Sequence, residues 1–229
     1  AILVRKRRNP GVSPHNVPFV VLGAGLLWFG WFGFNAGSQL AADGVAVSAF
    51  IVTNLAAATA ALTWGCIAQW RSGKMSAVGV ATGAVAGLVA ITPASGYVGV
   101  MGALVIGLLA GAGCFFAVEC IKKTKLDDAL DVFAVHGVGG IIGALLTGVF
   151  AAEAIGGTPG LIEGNAGVLV ANFISVIATI VYSLVVTLII LKLLDIIPGL
   201  GLRVSDRDED EGLDISAHGE RGVVSDGAD

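Results

Sequence analysis

The stretch "DVFAVHGVGGIIG" sets one histidine, His136, in an apolar, glycine-rich run from Asp131 to Gly143. An imidazole among apolar neighbours is disfavoured as a cation, because burial penalises the charged form. A neutral ring has one donor and one acceptor, so it can line a path for a small polar, uncharged molecule. It can equally be a core histidine bonded to a neighbouring helix; this residue alone leaves both readings open. A second set lies in "LLWFGWFGFNAGS", where Leu27, Trp31, Phe34 and Ser38 fall at i, i+4, i+7 and i+11. That spacing puts them on one helical face. A hydroxyl with ring faces can receive a small cation by hydrogen bond and cation–π attraction, and rings below it can close a path to water. The same aromatics also suit an interfacial belt. Asp127, Asp128 and Asp131 precede the histidine, where carboxylates can cap a helix N-terminus and favour its dipole.

The elements that position these residues follow from composition. The 229 residues are 55% hydrophobic and only 13% charged, against about 25% charged in soluble domains. Mean hydropathy is +0.88. The 44 residues from 75 to 118 contain no Asp, Glu, Lys, Arg or His, enough for two spans of about 20 residues. Six apolar segments emerge, at 17–40, 45–70, 75–92, 97–120, 132–152 and 167–197. They exceed strand length, and a backbone in lipid must bond to itself, so they read as helices of an all-α membrane protein. A soluble bundle would need a polar stripe on each helix.

The cations orient them. Arg5, Lys6, Arg7 and Arg8 precede the first segment. Arg71 and Lys74 follow the second, and Lys122, Lys123 and Lys125 follow the fourth. Lys192, Arg203, Arg207 and Arg221 end or follow the sixth. Loops after the first, third and fifth carry none. The positive-inside rule then places both termini and the even-numbered loops in the cytoplasm. This predicts a cytoplasmic loop at 1–16, a transmembrane domain at 17–202 and a cytoplasmic tail at 203–229. The tail carries net −6 and the remainder net +2, so overall charge implies no nucleic-acid partner. Most of the tail reads as solvated or disordered by composition, with "EGLDISAHGE" the part able to dock.

Cys66, Cys114 and Cys120 lack metal-ligand spacing and read as small packing residues. Glycine, 34 residues, recurs at close spacing within helices, as close packing in lipid favours. There is no Ser–His–Asp set, carboxylate pair, phosphate loop or Cys/His cluster, so no enzyme, cofactor or metal is expected. The start "AILVRKRRNP" has apolar residues before basic ones, the reverse of a secretion signal. It reads as the end of an earlier helix, with a preceding part expected.

Four stretches carry a resemblance: "HNVPF…GWFGFNAGS", "GAVAGLVAITPASGYVG", "DDALDVFAVHGVGGIIGALLTGVFA" and "GLRV…EGLDISAHGE". They closely resemble the ammonium transporter family (Amt/Mep, related to Rh proteins), in family order over essentially the whole chain. The resemblance implies an eleven-helix protomer, usually trimeric, with one pore in each. That protomer has two inverted five-helix repeats and a long last helix; this chain resembles helices six to eleven. By motif, Ser38 and Trp31 resemble the external ammonium recruitment region and Phe34 one of two gate phenylalanines. His136 resembles the second of twin pore histidines. Leu27, Thr92 and Val132 match pore-lining positions. Asp127, Asp128 and Asp131 match the cytoplasmic start of helix ten. Glu211, Gly212, Leu213, Asp214, His218, Gly219 and Glu220 match a tail that packs under a neighbouring protomer and couples to PII-type signalling proteins. The first histidine, the other gate ring and a buried aspartate belong to the family's first half; His15 and His218 do not substitute. The implied activity is ammonium uptake with ammonia conducted across the cytoplasmic membrane. The alternatives are an ammonium sensor coupled to PII proteins, and a truncated, non-conducting half.

Overall fold

The structure is a computed structural model describing residues 2–10, 13–220 and 222; Arg221 and residues 223–229 of the predicted tail lie outside them. The described residues are helical, without strands. The six apolar segments become α1 (Val17–Gly37), α2 (Gly44–Ser72), α3 (Ala77–Ile91), α4 (Val100–Lys122), α5 (Val138–Phe150, entered through a π-helical turn at Phe133–Gly137) and α7 (Gly167–Ile196). A short α6 (Glu153–Gly156) follows α5, and the tail adds α8 (Asp206–Glu211) and α9 (Leu213–Ser216).

Local chemistry sets the helix ends. Asn16 Oδ1 accepts from Phe19 N, Asp43 Oδ1 from Val45 N and Ala46 N, and Ser76 Oγ from Gly79 N, each satisfying N–H groups that a first turn leaves free. Gly73, at φ 72°, closes α2 in the left-handed conformation. Pro93 follows Thr92, the C-cap of α3, and helices usually end at or before the residue preceding a proline.

Five of the six helices are long and apolar enough to cross a membrane. The exception is α3, whose 15 residues span only about 22 Å. It is tolerated because α3 is sheathed by α1, α2, α4 and α5 and buries Ala86, Leu88, Ala90 and Ile91 completely. The core is a seam of α2, α3 and α4. A Cβ on Gly107 or Gly111 would lie 2.6 or 2.7 Å from the carbonyl oxygens of Ala56 and Ala60, so α4 rides on the α2 backbone, as small residues in lipid permit. Gly143 likewise lets α5 meet the Ala90 carbonyl of α3.

By contrast α7 buries no residue and α1 only Asn35. Their apolar side chains face outward, as lipid or further protein requires. At 30 residues, α7 spans about 45 Å, longer than the ~30 Å hydrocarbon core, so it tilts or reaches past the core at its ends.

The tail is largely exposed, as its composition implies, yet it is helical rather than disordered. Residues 206–211 form α8, whose acids contact the N-terminal segment and Arg203. Arg8 pairs with Asp206 at 2.8 Å and Asp210 at 2.9 Å, and Arg203 pairs with Glu209. Charge repulsion within the acidic run is relieved by these arginines, which composition alone does not place.

Candidate functional site

The predicted stripe on α1 divides into two environments. Leu27, Trp31 and Phe34, with Leu26 and Gly30, line an open apolar groove of about 390 Å³. Trp31 and Phe34 meet edge to face, 5.8 Å between centroids at 82°. Ser38, at the C-cap, instead lines a polar cavity of about 350 Å³ with Asn35, Gln39, Thr92 and Ser95. Thr92 joins the two linings: its Oγ1 accepts from Trp31 Nε1 at 2.8 Å and donates to Leu88 O at 2.7 Å.

His136 sits in the π-helical turn. There Val138 N–H reaches back to Phe133 O, five residues away. The extra residue rotates the body of α5 relative to a regular α-helix, a device frequent at functional sites. Within this turn Ala134 and Val135 are buried against α4, where Cys114 Sγ–H donates to Val135 O at 3.7 Å. Val132 and Phe133 are 49% and 62% exposed, and His136 is exposed beside them. The imidazole is therefore not wedged between helices of this chain. Both α1 and the α5 segment lie on α3 without packing on each other.

The three acids share a location but not a task. Of the three, Asp128 caps the turn, its two carboxylate oxygens accepting from Val132 N and Phe133 N, each at 2.9 Å. Asp127 accepts from Arg7 Nε and Nη2 at 2.8 Å and from Arg7 N at 2.9 Å. Hydrogen bonding to Arg7 holds its carboxyl down at about 2. Asp131 takes φ 52°, unusual for a non-glycine residue, with Lys122 Nζ 3.8 Å away. Burial pushes its carboxyl up, against the attraction of Lys122. Thus the expectation that all three cap the helix is corrected: two of them bond to other segments.

In the tail, Glu211 ends α8, and Gly212 and Gly219 turn the chain at φ 93° and 73°. Leu213 and Asp214 begin α9, Asp214 Oδ2 accepts from Gly222 N, and Glu220 N donates to Asp214 O. His218 N donates to Leu213 O. Among the described residues this segment packs on α8 and on no membrane helix.

Sequence reading did not single out Asn35, Gln39, Thr53 or Ser95. Asn35 and Ser95 are buried polar residues, and Asn35 Nδ2 donates to Thr53 Oγ1 at 2.9 Å. The signal available was a polar residue one helical turn from Ser38. Among the described residues no cluster of three His, Cys, Asp or Glu is placed to hold a metal.

The model of the Ammonium Transporter Family matches residues 1–223. The chain belongs to the ammonium transporter family. An ammonium transporter of Aquifex aeolicus is 50% identical over 222 residues, covering 96% of this chain and 52% of that protein. Ammonium transporter Amt1 of Archaeoglobus fulgidus is 48% identical over 209 residues, covering 91% and 53%. The crystal structure of Saccharomyces cerevisiae Mep2 superposes with a TM-score of 0.84 at 40% identity, over 90% of this chain and 49% of that one. This member of the family thus spans about half the length of the curated relatives it matches, and it is a multi-pass membrane protein.

Proposed function

We propose that this chain supplies one wall of an ammonium-conducting pore in the cytoplasmic membrane, completed by a companion half like the first half of its relatives. A charge at the bilayer centre costs at least ~3 kcal/mol, so ammonium does not cross the apolar stretch intact. Ser38 and Trp31 receive the ion outside and Phe34 gates the path. Ammonium gives up its proton, which is carried separately and returned to the nitrogen on the inner side, while ammonia passes Leu27, Thr92, Val132 and His136. A neutral imidazole offers ammonia both a donor and an acceptor without burying a charge. The observation that carries this reading is the exposed His136 on an otherwise apolar surface of a chain whose relatives are named ammonium transporters.

The orientation proposed is cytoplasmic for both ends. It is supported by the meeting of three cation-bearing segments: Arg7 bonds the α4–α5 loop at Asp127, and Arg8 bonds the tail. Trimer formation through the bare apolar helices, and coupling of residues 211–220 to a PII-type protein, belong to the same proposal.

The test is methylammonium flux into proteoliposomes holding the assembled transporter. His136→Ala should abolish selective flux. Unchanged flux and selectivity would remove His136 from the mechanism.

A further inference from the structure

We propose that the cavity at the cation-bearing ends of α2, α3 and α4 binds a zwitterionic headgroup, an anion joined to a primary ammonium, supplied by phosphatidylethanolamine of the adjoining lipid leaflet. The proposal needs only the membrane placement of these helices and is independent of the pore reading.

The shortness of α3 creates this cavity. A Cβ on Gly79, in the first turn of α3, would lie 3.1 Å from Trp64 Nε1. Yet α2 runs on past Trp64 to Ser72. Phe115 of α4 meets Trp64 edge to face, 5.3 Å between centroids, and α4 likewise runs on to Lys122. Both neighbours therefore overshoot the start of α3 by about two turns, or ~11 Å. The recess left between them has a volume of about 390 Å³, with Trp64 at its floor and Asp131 on its open side. That volume lies in the range of small-molecule sites.

The floor offers a donor without a partner. Trp64 is only 6% exposed and lines the cavity, and its indole N–H makes no hydrogen bond among the described residues. A buried donor left unpaired is costly, so the floor calls for an acceptor on the ligand. The walls carry both signs of charge: Arg71 and Lys122 against Glu119 and Asp131. Lys122 stands 3.8 Å from Asp131, a loose pair, and neither Arg71 nor Glu119 forms an ion pair among the described residues. Opposite charges that share a cavity without meeting leave a gap for a ligand bearing both. An anion alone would face two carboxylates, and a cation alone would face a guanidinium and the indole N–H. A zwitterion satisfies all of them. Its oxygens accept from Trp64 and Arg71, and its ammonium, with three donors, bonds Glu119.

The rim points to the membrane as the source. The Arg71 guanidinium lies 6.0 Å from the ring centroid of Phe116, which is 42% exposed on α4, and neighbouring Trp70 is 79% exposed. An exposed tryptophan beside a cation at the end of a span marks the headgroup level. Arg71 thus joins the cavity wall to an outward-facing apolar ring, so the cavity opens toward lipid. Basic pockets between membrane helices at that level are where lipid headgroups are held.

The experiment is calorimetric titration of the purified assembled transporter in detergent with short-chain phosphatidylethanolamine, phosphatidylcholine and phosphatidylglycerol. The ethanolamine lipid should bind about tenfold more tightly than either other, the worth of one hydrogen bond to a charged group. Choline methyls remove the N–H donors for Glu119, and the glycerol headgroup lacks the cation. Arg71→Gln should weaken the ethanolamine and glycerol lipids alike, whereas Glu119→Gln should weaken only the ethanolamine lipid. Trp64→Phe keeps the ring, removes the N–H and should weaken all three. Equal affinity for the three lipids, or ethanolamine-lipid binding unmoved by Arg71→Gln and Glu119→Gln, overturns the site. Free phosphoethanolamine should bind more weakly than the lipid, and equal binding overturns the membrane source. The lipid comparison needs no variant, so it decides the headgroup even where a substitution prevents folding. No flux is measured, so the pore reading can fail without touching this result.

Discussion

Trp31 on α1 donates its indole N–H to Thr92 Oγ1 at the end of α3, 2.8 Å away. That bond fixes the ring at 82° to Phe34 and holds α1, otherwise almost unburied, to the core. Thr92→Val keeps the shape and removes the acceptor, leaving a partly buried N–H unpaired at a cost of about 1–3 kcal/mol. Thermal unfolding in detergent should fall accordingly, and methylammonium uptake should drop with it.

Asp128 is the carboxylate that caps the turn carrying His136. Asp128→Ala should cost about 1 kcal/mol, the usual worth of a cap, whereas Asp128→Asn should retain most of it. Because the cap sets the start of the π-helical turn, uptake should fall more in the alanine variant than in the asparagine variant. Equal loss in both would mean that charge, not capping, is what matters.

The Arg7–Asp127 pair gives a pH dependence with a definite sign. Asp127 titrates near 2 in the folded protein against an ordinary 3.8, chiefly because Arg7 bonds its charged form. A depressed carboxyl contributes stability that is full above about pH 4 and is lost as pH falls through about 2. Docking of the N-terminal segment should weaken across that window. Asp127→Asn should reproduce the release at neutral pH, seen as faster trypsin cleavage at Arg5–Arg8.

The tail is held differently. Arg8 and Asp206 side chains are 45% and 77% exposed, and exposed pairs are worth about 0–1 kcal/mol and are screened by salt. A spin-label distance between residue 9 and α8 should lengthen in 1 M salt or on Arg8→Glu. Asp127→Asn should lengthen it less, because Arg8 still reaches α8.

What the sequence determined was the membrane architecture. Apolar run length and missing charge are local quantities, and a bilayer turns them into spans. All six helices therefore lie within a few residues of their predicted ranges. Motif spelling alone also identified the family and singled out His136, Trp31, Phe34 and Ser38. Assembly decided the rest. That Asp128 caps while Asp127 bonds Arg7, 120 residues away, depends on which loops meet. That Ser38 parts company with Phe34 depends on α1 ending beside Thr92 and Ser95 of the next turn. The acidic tail folds because Arg8 and Arg203 reach it. Composition counts charges but cannot pair them: a partner distant in sequence comes within bonding distance only when packed helices bring the two chain segments together.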